Sequence, residues 1–281
     1  MLNGLHIPLI TPFDASGDID TGALTRLAHD TLDGGAAGLV ALGTTAEPST
    51  LSTAERATVL RTLAATGAPL IVGANDAASL AGLTAVAALT LVPPFVRPGE
   101  DGVVAHLSEL ARVSPVPLVV YHVPYRTAQP LTLQALHRIA AIPNVCGVKL
   151  AAGGIDADTV ALLADPPEDF AILGGDDAYI SPLLAMGAHG GILASAHIAT
   201  SSYAELITAW QSGDTGRARP LGHRLARLSA ALFAEPNPAV TKGVLHAQGR
   251  IPTPYVRLPL LPASPASVEA ALGAVPAEQS V

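Results

Sequence analysis

Short apolar runs recur along the chain, mostly at spacings of roughly 25 to 35 residues, and helix-like segments lie between them. Several of these segments open with Ser, Thr or Asp in the manner of helix N-caps. The alternation predicts repeated βα units and a parallel sheet, and eight such units form a (β/α)8 TIM barrel, an α/β fold. The eight runs are Leu5 to Ile10, Gly38 to Leu42, Leu70 to Gly73, Ala88 to Val92, Leu118 to Tyr121, Val145 to Leu150, Ala171 to Leu173 and Gly190 to Leu193. The intervening helical candidates include Asp20 to Leu32, Thr53 to Ala65, Gly102 to Val113 and Leu131 to Ala140.

The strand pattern fades near residue 205, which predicts a barrel domain over residues 1–205 and a C-terminal helical extension over residues 206–281. Within the extension, Leu206 to Gln248 has a helical pattern interrupted at Glu235-Pro236-Asn237-Pro238, and a weak helical stretch follows at Ser267 to Leu272. A length of 281 residues with 49% hydrophobic content suits one large barrel.

Charge and composition exclude several classes of partner. A net charge of −8 without any basic run argues against nucleic acid and against an anionic membrane surface. The most apolar long stretch, Leu80 to Val96, contains Pro93 and Pro94 and predicts a short helix followed by a buried strand, not a membrane span. The start of the chain lacks the features of a signal peptide, and the single Cys146 fits a reducing compartment, so we expect a cytoplasmic protein.

A cation lies inside one of the predicted buried strands. Lys149, one of only two lysines, is the second-last residue of the run Val145 to Leu150. Burial of an ammonium group is costly, and loss of its proton relieves the cost and leaves a nucleophilic amine. Alternatively, the side chain reaches water at the strand end or pairs with an acid. The segment alone leaves both interpretations open.

Functional side chains of such a barrel gather where the strands end. The second strand is followed by Gly43-Thr44-Thr45-Ala46-Glu47, whose hydroxyl and free amide groups suit a carboxylate or a phosphate. Tyr121 and Arg126 follow the fifth strand, and Asp176 follows the seventh. At the eighth, Gly191 allows close approach of a ligand to the backbone.

These groups favour one class of reaction. A neutral lysine attacks a ketone to form a Schiff base, the protonated imine stabilises the neighbouring carbanion, and a tyrosine moves protons. An anion site beside the lysine would hold the carboxylate of a 2-keto acid. The pattern therefore predicts a keto-acid aldolase with small-molecule substrates, and it calls for no cofactor and no metal.

The chain resembles the dihydrodipicolinate synthase and N-acetylneuraminate lyase family of pyruvate-dependent class I aldolases over essentially its whole length. The resemblance rests on five motifs in family order. They are Gly43-Thr44-Thr45 with Glu47, Tyr121-x-Val123-Pro124-x-Arg126-Thr127, Gly147-Val148-Lys149, Gly175-Asp176-Asp177-Ala178, and Glu235-Pro236-Asn237-Pro238 with Lys242.

The resemblance implies a role for each matching residue. Lys149 matches the Schiff-base lysine, while Tyr121 and Thr44 match the hydroxyl groups of the proton relay. Thr45 matches the clamp for the pyruvate carboxylate, and the Ile192 carbonyl would lie near the substrate. Arg126 matches the arginine that meets the carboxylate of aspartate semialdehyde, which favours the synthase branch. The resemblance also implies a homo-oligomer, usually a tetramer of two tight dimers.

Some positions depart from the synthase pattern. Phe95 replaces a tyrosine that would reach across the tight dimer, and its hydroxyl is missing. Leu150 and His122 also differ from the usual residues, and the three changes favour another reaction, such as cleavage or dehydration of a 2-keto-3-deoxy sugar acid. The segment from Gly73 to Pro93 is short, by about two helical turns, in the region of the lysine feedback site, so we predict no inhibition by lysine.

Structural roles are the alternative for several of these residues. Asp176 and Asp177 could form a helix N-cap pair, and Arg126 could pair with an acid across a subunit contact. Glu47 could cap a helix or orient the threonines. Lys242 is expected on a helix surface, and Glu235 to Pro238 in a turn.

Two rival functional classes remain. A metal-dependent aldolase would use His122, His189 and His197 with Asp176, although no two of these have a recognised ligand spacing. A non-catalytic relative would bind a keto acid as a sensor. Loss of activity with a chelator would support the metal-dependent aldolase. Incubation with pyruvate and borohydride separates the sensor from the Schiff-base lyase, because only imine chemistry leaves Lys149 irreversibly modified.

Overall fold

The computed structural model describes residues 1–276 and contains a closed barrel of eight parallel strands in sequence order. Each predicted run contains one strand, and the observed bounds differ from the predicted ones by no more than two residues. The predicted barrel is therefore confirmed. The strands are β1 (Gly4–Pro8), β2 (Gly38–Ala41), β3 (Leu70–Gly73), β4 (Ala87–Leu91), β5 (Leu118–His122), β6 (Val145–Leu150), β7 (Ala171–Gly174) and β8 (Gly190–Ile192).

Helices surround the barrel, and polar caps begin several of them. The Asp20 side chain accepts from the N–H of Ala23 at the start of the first helix, and Ser52 forms a capping box with Glu55 at the start of the second. The helices are α1 (Thr21–Asp33), α2 (Thr53–Ala64), α3 (Ala77–Leu80), α4 (Gly99–Val113), α5 (Pro124–Thr127), α6 (Leu133–Ala140), α7 (Ala157–Ala164), α8 (Ile180–Ala185), α9 (Thr200–Gln211), α10 (Thr215–Leu232), α11 (Ala239–Ala247) and α12 (Pro265–Gly273).

The apolar core has two layers because each strand is buried on both faces. Side chains such as Val119 and Leu173 fill the interior of the barrel. Alternate residues such as Val120 and Val148 pack between the strands and the helices. This alternation decides which polar side chains at a strand end can reach the central cavity.

The predicted short helix before β4 is only one turn, α3, which ends at Leu80. The predicted buried strand is present as β4, but the predicted helix is wrong for this stretch, because Leu80 to Val96 is loop apart from β4 and the last residue of α3. Within residues 1–276, no helix combines the length and the apolar character needed to cross a membrane.

Four helices, α9 to α12, follow the last strand within the described residues. The predicted boundary at residue 205 falls inside α9, which packs on β1 and α8 as the last barrel helix. A break between α9 and α10 that the sequence pattern did not predict contains Gly213 at φ 77°. The predicted break at Glu235 to Pro238 separates α10 from α11.

Candidate active site

A cavity of about 210 Å³ opens at the end of the barrel where the strands finish. Loops after most of the strands contribute to its wall, as expected for this fold. One side is closed by α10 and by the turn that follows it. The lining residues are Pro8, Thr44, Thr45, Tyr121, Tyr125, Arg126, Lys149, Gly153, Gly175, Asp176, Asp177, Ala178, Tyr179, Ile192, Ala194, Ser229, Ala230, Phe233 and Asn237.

Lys149 points into this cavity and is only 5% exposed. Its Nζ lies 4.2 Å from the centre of the Tyr121 ring, on the adjacent strand β5. Among the described residues, no acid lies within ion-pair distance of this amine. Of the two interpretations left open by the sequence, the structure therefore fits the buried amine and not a paired or surface lysine.

Gly175 makes room for this side chain. A Cβ atom added at Gly175 would lie 2.7 Å from Cε of Lys149 and 2.8 Å from its Cγ. The glycine at the end of β7 is therefore required by the position of the amine, not by the backbone conformation of the turn.

Burial lowers the pKa of Lys149 from 10.5 to about 8. The charge of Asp177 acts in the opposite direction, with smaller contributions from Tyr125 and Asp176, and Arg126 adds to the lowering. A lysine with this pKa has a useful fraction of neutral, nucleophilic amine near neutral pH.

Tyr121 is buried beside the amine, and burial raises the pKa of its phenol to about 12. Arg126 and Thr44 oppose this rise. The phenol therefore holds its proton at neutral pH and can donate it to an oxygen atom in the cavity or pass it between two oxygen atoms.

The segment after β2 forms a tight 3-10 turn, Thr44–Ala46, which we call the threonine turn. The first N–H groups of such a turn have no acceptor within it, so they can bind an anion. Thr45 is buried, and its Oγ1 accepts a hydrogen bond of 3.0 Å from Nδ2 of Asn237. Glu47 ends the turn in the left-handed region at φ 56°.

The two aspartates after β7 bind backbone groups of neighbouring loops. Asp176 accepts from the N–H of Gly153 at 2.7 Å, and buried Asp177 accepts from the N–H of Ser195 at 2.5 Å. Neither side chain caps a helix, so the N-cap alternative is wrong. Burial raises the pKa of Asp177 to about 6, and the Ser195 bond opposes that rise.

Three further predicted residues differ in their placement. Arg126 is exposed at the cavity mouth, with its guanidinium 5.6 Å from the centre of the Tyr125 ring. Ile192 lines the cavity. Gly191 does not, because a side chain there would point at Leu193 and Ile180 in the layer between barrel and helices.

Several lining residues were not predicted from the sequence. Asn237 lies in the segment interpreted as a turn, and a polar residue between two prolines was the only signal it offered. Ser229, Ala230 and Phe233 come from α10, and nothing in their sequence sets them apart from other helix residues. Only the docking of α10 over the barrel brings them to the cavity.

The expectation that Lys242 lies on a helix surface is wrong. Its side chain is fully buried, and its Nζ donates to Oε1 of Glu47 at 2.5 Å and to the carbonyl of Tyr255 at 2.9 Å. Burial lowers the pKa of Lys242, and the charge of Glu47 opposes that change. The partner residue is remote in the sequence, and this is why the helical pattern alone suggested exposure.

The histidines considered as metal ligands lie in separate places. His189 accepts from the N–H of Ile172 through Nδ1, and His197 accepts from the N–H of Ile10 through Nε2. Among residues 1–276, no three His, Cys, Asp or Glu side chains are grouped as metal ligands would be.

Comparison with known proteins decides the family. The model of the dihydrodipicolinate synthetase family matches residues 1–274. This chain belongs to that family. The 4-hydroxy-tetrahydrodipicolinate synthase of Neisseria meningitidis serogroup B is 36% identical over an alignment of 289 positions, gaps included, which covers 98% of this chain and 99% of the relative.

Solved structures of the dihydrodipicolinate synthetase family have the same fold. The enzyme of Acinetobacter baumannii, described as chloride-inhibited and complexed with pyruvate, has a TM-score of 0.91 at 31% identity and covers 98% of each chain. A structure described as the first monomeric dihydrodipicolinate synthase variant also has a TM-score of 0.91, at 30% identity, and covers 97% of this chain and 95% of that one.

Proposed function

We propose that this chain is a class I lyase that forms a Schiff base between Lys149 and pyruvate and condenses it with aspartate semialdehyde, as a 4-hydroxy-tetrahydrodipicolinate synthase. The observation that carries the proposal is a buried amine without an ion-pair partner among residues 1–276, placed against a phenol and beside an anion-binding turn. Membership of the family and the names of full-length relatives support the same reaction.

The first half of the reaction uses the deep part of the cavity. The threonine turn holds the carboxylate of pyruvate through its free N–H groups. Neutral Lys149 attacks C2, and the resulting carbinolamine loses water to give an iminium. Loss of a proton from C3 then gives an enamine, since the iminium withdraws the electron pair. Tyr121 and Thr44 form the relay that carries the protons of these steps.

The second half brings in the aldehyde. C3 of the enamine attacks the aldehyde carbon of aspartate semialdehyde, and the new alkoxide takes a proton from the Tyr121 relay. The amino group of the second substrate then attacks C2, closes the ring and releases Lys149 as the free amine. Arg126, at the mouth, holds the carboxylate of this substrate. We also assign substrate contacts to Thr45, to the Ile192 carbonyl and to Asp176.

A second candidate reaction, cleavage or dehydration of a 2-keto-3-deoxy sugar acid, rested on Phe95, Leu150 and His122. The structure weakens two of these arguments. His122 and Leu150 are paired on adjacent strands, and neither lines the cavity. Only Phe95 still favours the alternative. This residue is 91% exposed and does not line the cavity of its own chain.

We propose a cytoplasmic homo-oligomer, a tetramer or a dimer. The exposed apolar side chains of Phe95 and Val96 on the loop after β4 support an apolar subunit contact there. A monomeric variant exists among the solved relatives, so sedimentation of this protein is needed to establish its oligomeric state. We further propose that lysine does not inhibit the enzyme, since α3 is a single turn. Potent inhibition in a lysine titration would contradict this.

The proposal is tested by trapping and by assay. Incubation with pyruvate and borohydride should add one reduced pyruvate adduct to Lys149, detected by peptide mass spectrometry, and Lys149→Ala should remain unmodified. Pyruvate should then be assayed with aspartate semialdehyde and a panel of other aldehydes, beside cleavage assays on 2-keto-3-deoxy sugar acids. Turnover of a sugar acid in preference to aspartate semialdehyde would establish the second candidate. An unmodified wild-type protein would leave a keto-acid sensor.

A further inference from the structure

A buried ion pair lies directly behind the threonine turn, outside the lining of the catalytic cavity. The side chains of Glu47 and Lys242 are 1% and 0% exposed. Each charged group of the pair also has a second hydrogen-bond partner. Lys242 donates to the Tyr255 carbonyl, and Oε2 of Glu47 accepts from the N–H of Arg257 at 2.8 Å. Both cations contact the ring of Phe13, whose centre is 4.2 Å from Nζ of Lys242 and 4.4 Å from Cζ of Arg257.

Stability is a weak reason for such a pair. Desolvation of two charges costs several kcal/mol, and apolar residues of similar volume often stabilise a core as well or better. The pair instead fixes the orientation of the two side chains, because each charged group has hydrogen-bond partners in defined positions.

The location of Glu47 is what connects the pair to catalysis. Glu47 is the residue that ends the threonine turn, and it occupies the left-handed region at φ 56° and ψ 42°. A residue other than glycine is strained in that conformation and keeps it only where its surroundings hold it. Here the surroundings are Lys242 and the backbone of Arg257, both from the C-terminal extension.

Thr45, in the middle of the turn, is also held by a residue close to Lys242 in the chain. Thr45 accepts from Asn237, five residues before Lys242 in the chain. The start of α11 and the residues just before it therefore contact the threonine turn at two points, one facing the cavity and one behind it.

We propose that Glu47 and Lys242 are positioning residues for the reaction: their ion pair sets the backbone of the threonine turn so that its N–H groups and hydroxyls meet the keto-acid carboxylate. This inference rests on the proposed function. The pair touches no substrate and acts only through Thr44 and Thr45. It should therefore affect the first substrate and leave the second unaffected.

The test compares variants that change the charge of the pair with a control elsewhere in the extension. Lys242→Met removes the cation, and Glu47→Gln keeps the shape of the side chain and one acceptor oxygen. Arg250→Met is the control, because Arg250 also joins the extension to the barrel, through the His197 carbonyl, but does not contact the turn. For each protein the KM for pyruvate, the KM for the aldehyde, the thermal midpoint and hydrogen exchange of the peptide over residues 43–51 are measured.

Both pair variants should raise the KM for pyruvate about tenfold or more, leave the KM for the aldehyde within about twofold, and speed exchange in that peptide. Lys242→Arg, which keeps the charge, should recover part of the pyruvate affinity. Equal changes in both KM values, or a lower thermal midpoint with unchanged exchange in residues 43–51, would show a merely structural role and overturn the inference.

If Lys242→Met does not fold, Glu47→Gln carries the same test. The hydrogen-exchange measurement needs no turnover. If the wild-type protein is not trapped by pyruvate and borohydride, the proposed function fails, while unchanged exchange in the variants still refutes the positioning role by itself.

Discussion

Lys149 and Lys242 are both buried, but their surroundings differ in kind. Lys242 has a carboxylate at 2.5 Å and a carbonyl at 2.9 Å, so its proton is held by two acceptors. Among residues 1–276, Lys149 has the face of an aromatic ring at 4.2 Å and acids beyond ion-pair distance. Burial lowers the pKa of both amines, so the two lysines are separated by access to the cavity: Lys149 lines it, whereas the amine of Lys242 is held by its carboxylate and carbonyl partners outside the lining.

The pKa of Lys149 predicts how the reaction depends on pH. With a pKa lowered from 10.5 to about 8, about a tenth of the amines are neutral at pH 7, and the fraction rises as the pH increases through 8. The value of kcat/KM for pyruvate should therefore rise with pH and level off above about pH 8. Rates of borohydride trapping measured from pH 6 to pH 10 would check this, and a limb centred near 10.5 would contradict it.

Substitution of Asp177 offers an independent check on how neighbouring charges change the pKa of Lys149. Its carboxylate raises the pKa of Lys149, so Asp177→Asn should move the midpoint of the pH profile to a lower value. The amide oxygen can still accept from the Ser195 N–H, so the local fold should be kept. Asp176→Asn should shift the midpoint less, because its contribution to that pKa is smaller. A shift to higher pH in either variant would contradict the electrostatic account.

Removal of the Tyr121 hydroxyl should reduce turnover much more than imine formation. Tyr121→Phe keeps the ring beside the amine but removes the phenol proton, so steady-state turnover should fall by about 10²- to 10⁴-fold. Trapping by pyruvate and borohydride should persist, though more slowly, because the nucleophile is intact. Turnover within a few-fold of wild type would remove Tyr121 from the relay.

The sequence indicated the chemical character of these residues better than it indicated which groups surround them. Lys149 stood out because a cation in an apolar run is anomalous whatever lies around it. Gly191 and Ile192 could not be told apart, because a shift of one residue along a strand exchanges the cavity side for the helix side. Lys242 was misplaced because its carboxylate partner lies 195 residues away in the chain.

At the scale of elements, the residue that follows β7 limits the space for the Lys149 side chain near the end of β6. Gly175→Ala would place a methyl group 2.7 Å from Cε of Lys149, so the amine must move or the strand end must shift. Borohydride trapping should slow by about tenfold or more, since a displacement of that size misaligns the nucleophile. Gly154→Ala is the matched control, because its added methyl meets nothing within 4 Å. Equal trapping rates for the two variants would contradict this account.

Strand positions were predicted closely because strands that are buried on both faces form continuous apolar runs bounded by polar or glycine-rich loops. Helix limits in the extension were less clear. The break at Gly213 falls within a continuous helical pattern, and its local signals were the glycine itself and Asp214, whose side chain caps the start of α10. The contribution of α10 to the cavity depends on docking between elements, which local periodicity does not encode.

At the scale of the molecule, the extension is joined to the barrel by charges that titrate in acid. Arg257 donates to Glu55 on α2 at 2.5 Å, and this bond is the main reason that the pKa of Glu55 is lowered from 4.5 to about 2. A carboxyl whose pKa is lowered on folding stabilises the protein above the unfolded value and loses that contribution as the pH falls. The loss should therefore fall between about pH 4.5 and pH 2.

Glu55→Gln should flatten the decrease in the free energy of unfolding over that interval, as measured by urea denaturation at several pH values. Glu109→Gln is the control, because Glu109 pairs with Arg112 on one exposed helix face and such pairs contribute little. An unchanged pH dependence in Glu55→Gln would mean that other groups control acid unfolding.

The three contacts that the extension makes with Thr45 and Glu47 span 192, 195 and 210 residues of chain. During synthesis, the barrel strands with Lys149 and Tyr121 emerge from the ribosome well before Asn237, Lys242 and Arg257. A nascent chain that has completed its barrel thus carries the nucleophile while the carboxylate clamp still lacks its support. On the proposed positioning role, competence for the reaction is delayed until nearly the whole polypeptide has been made.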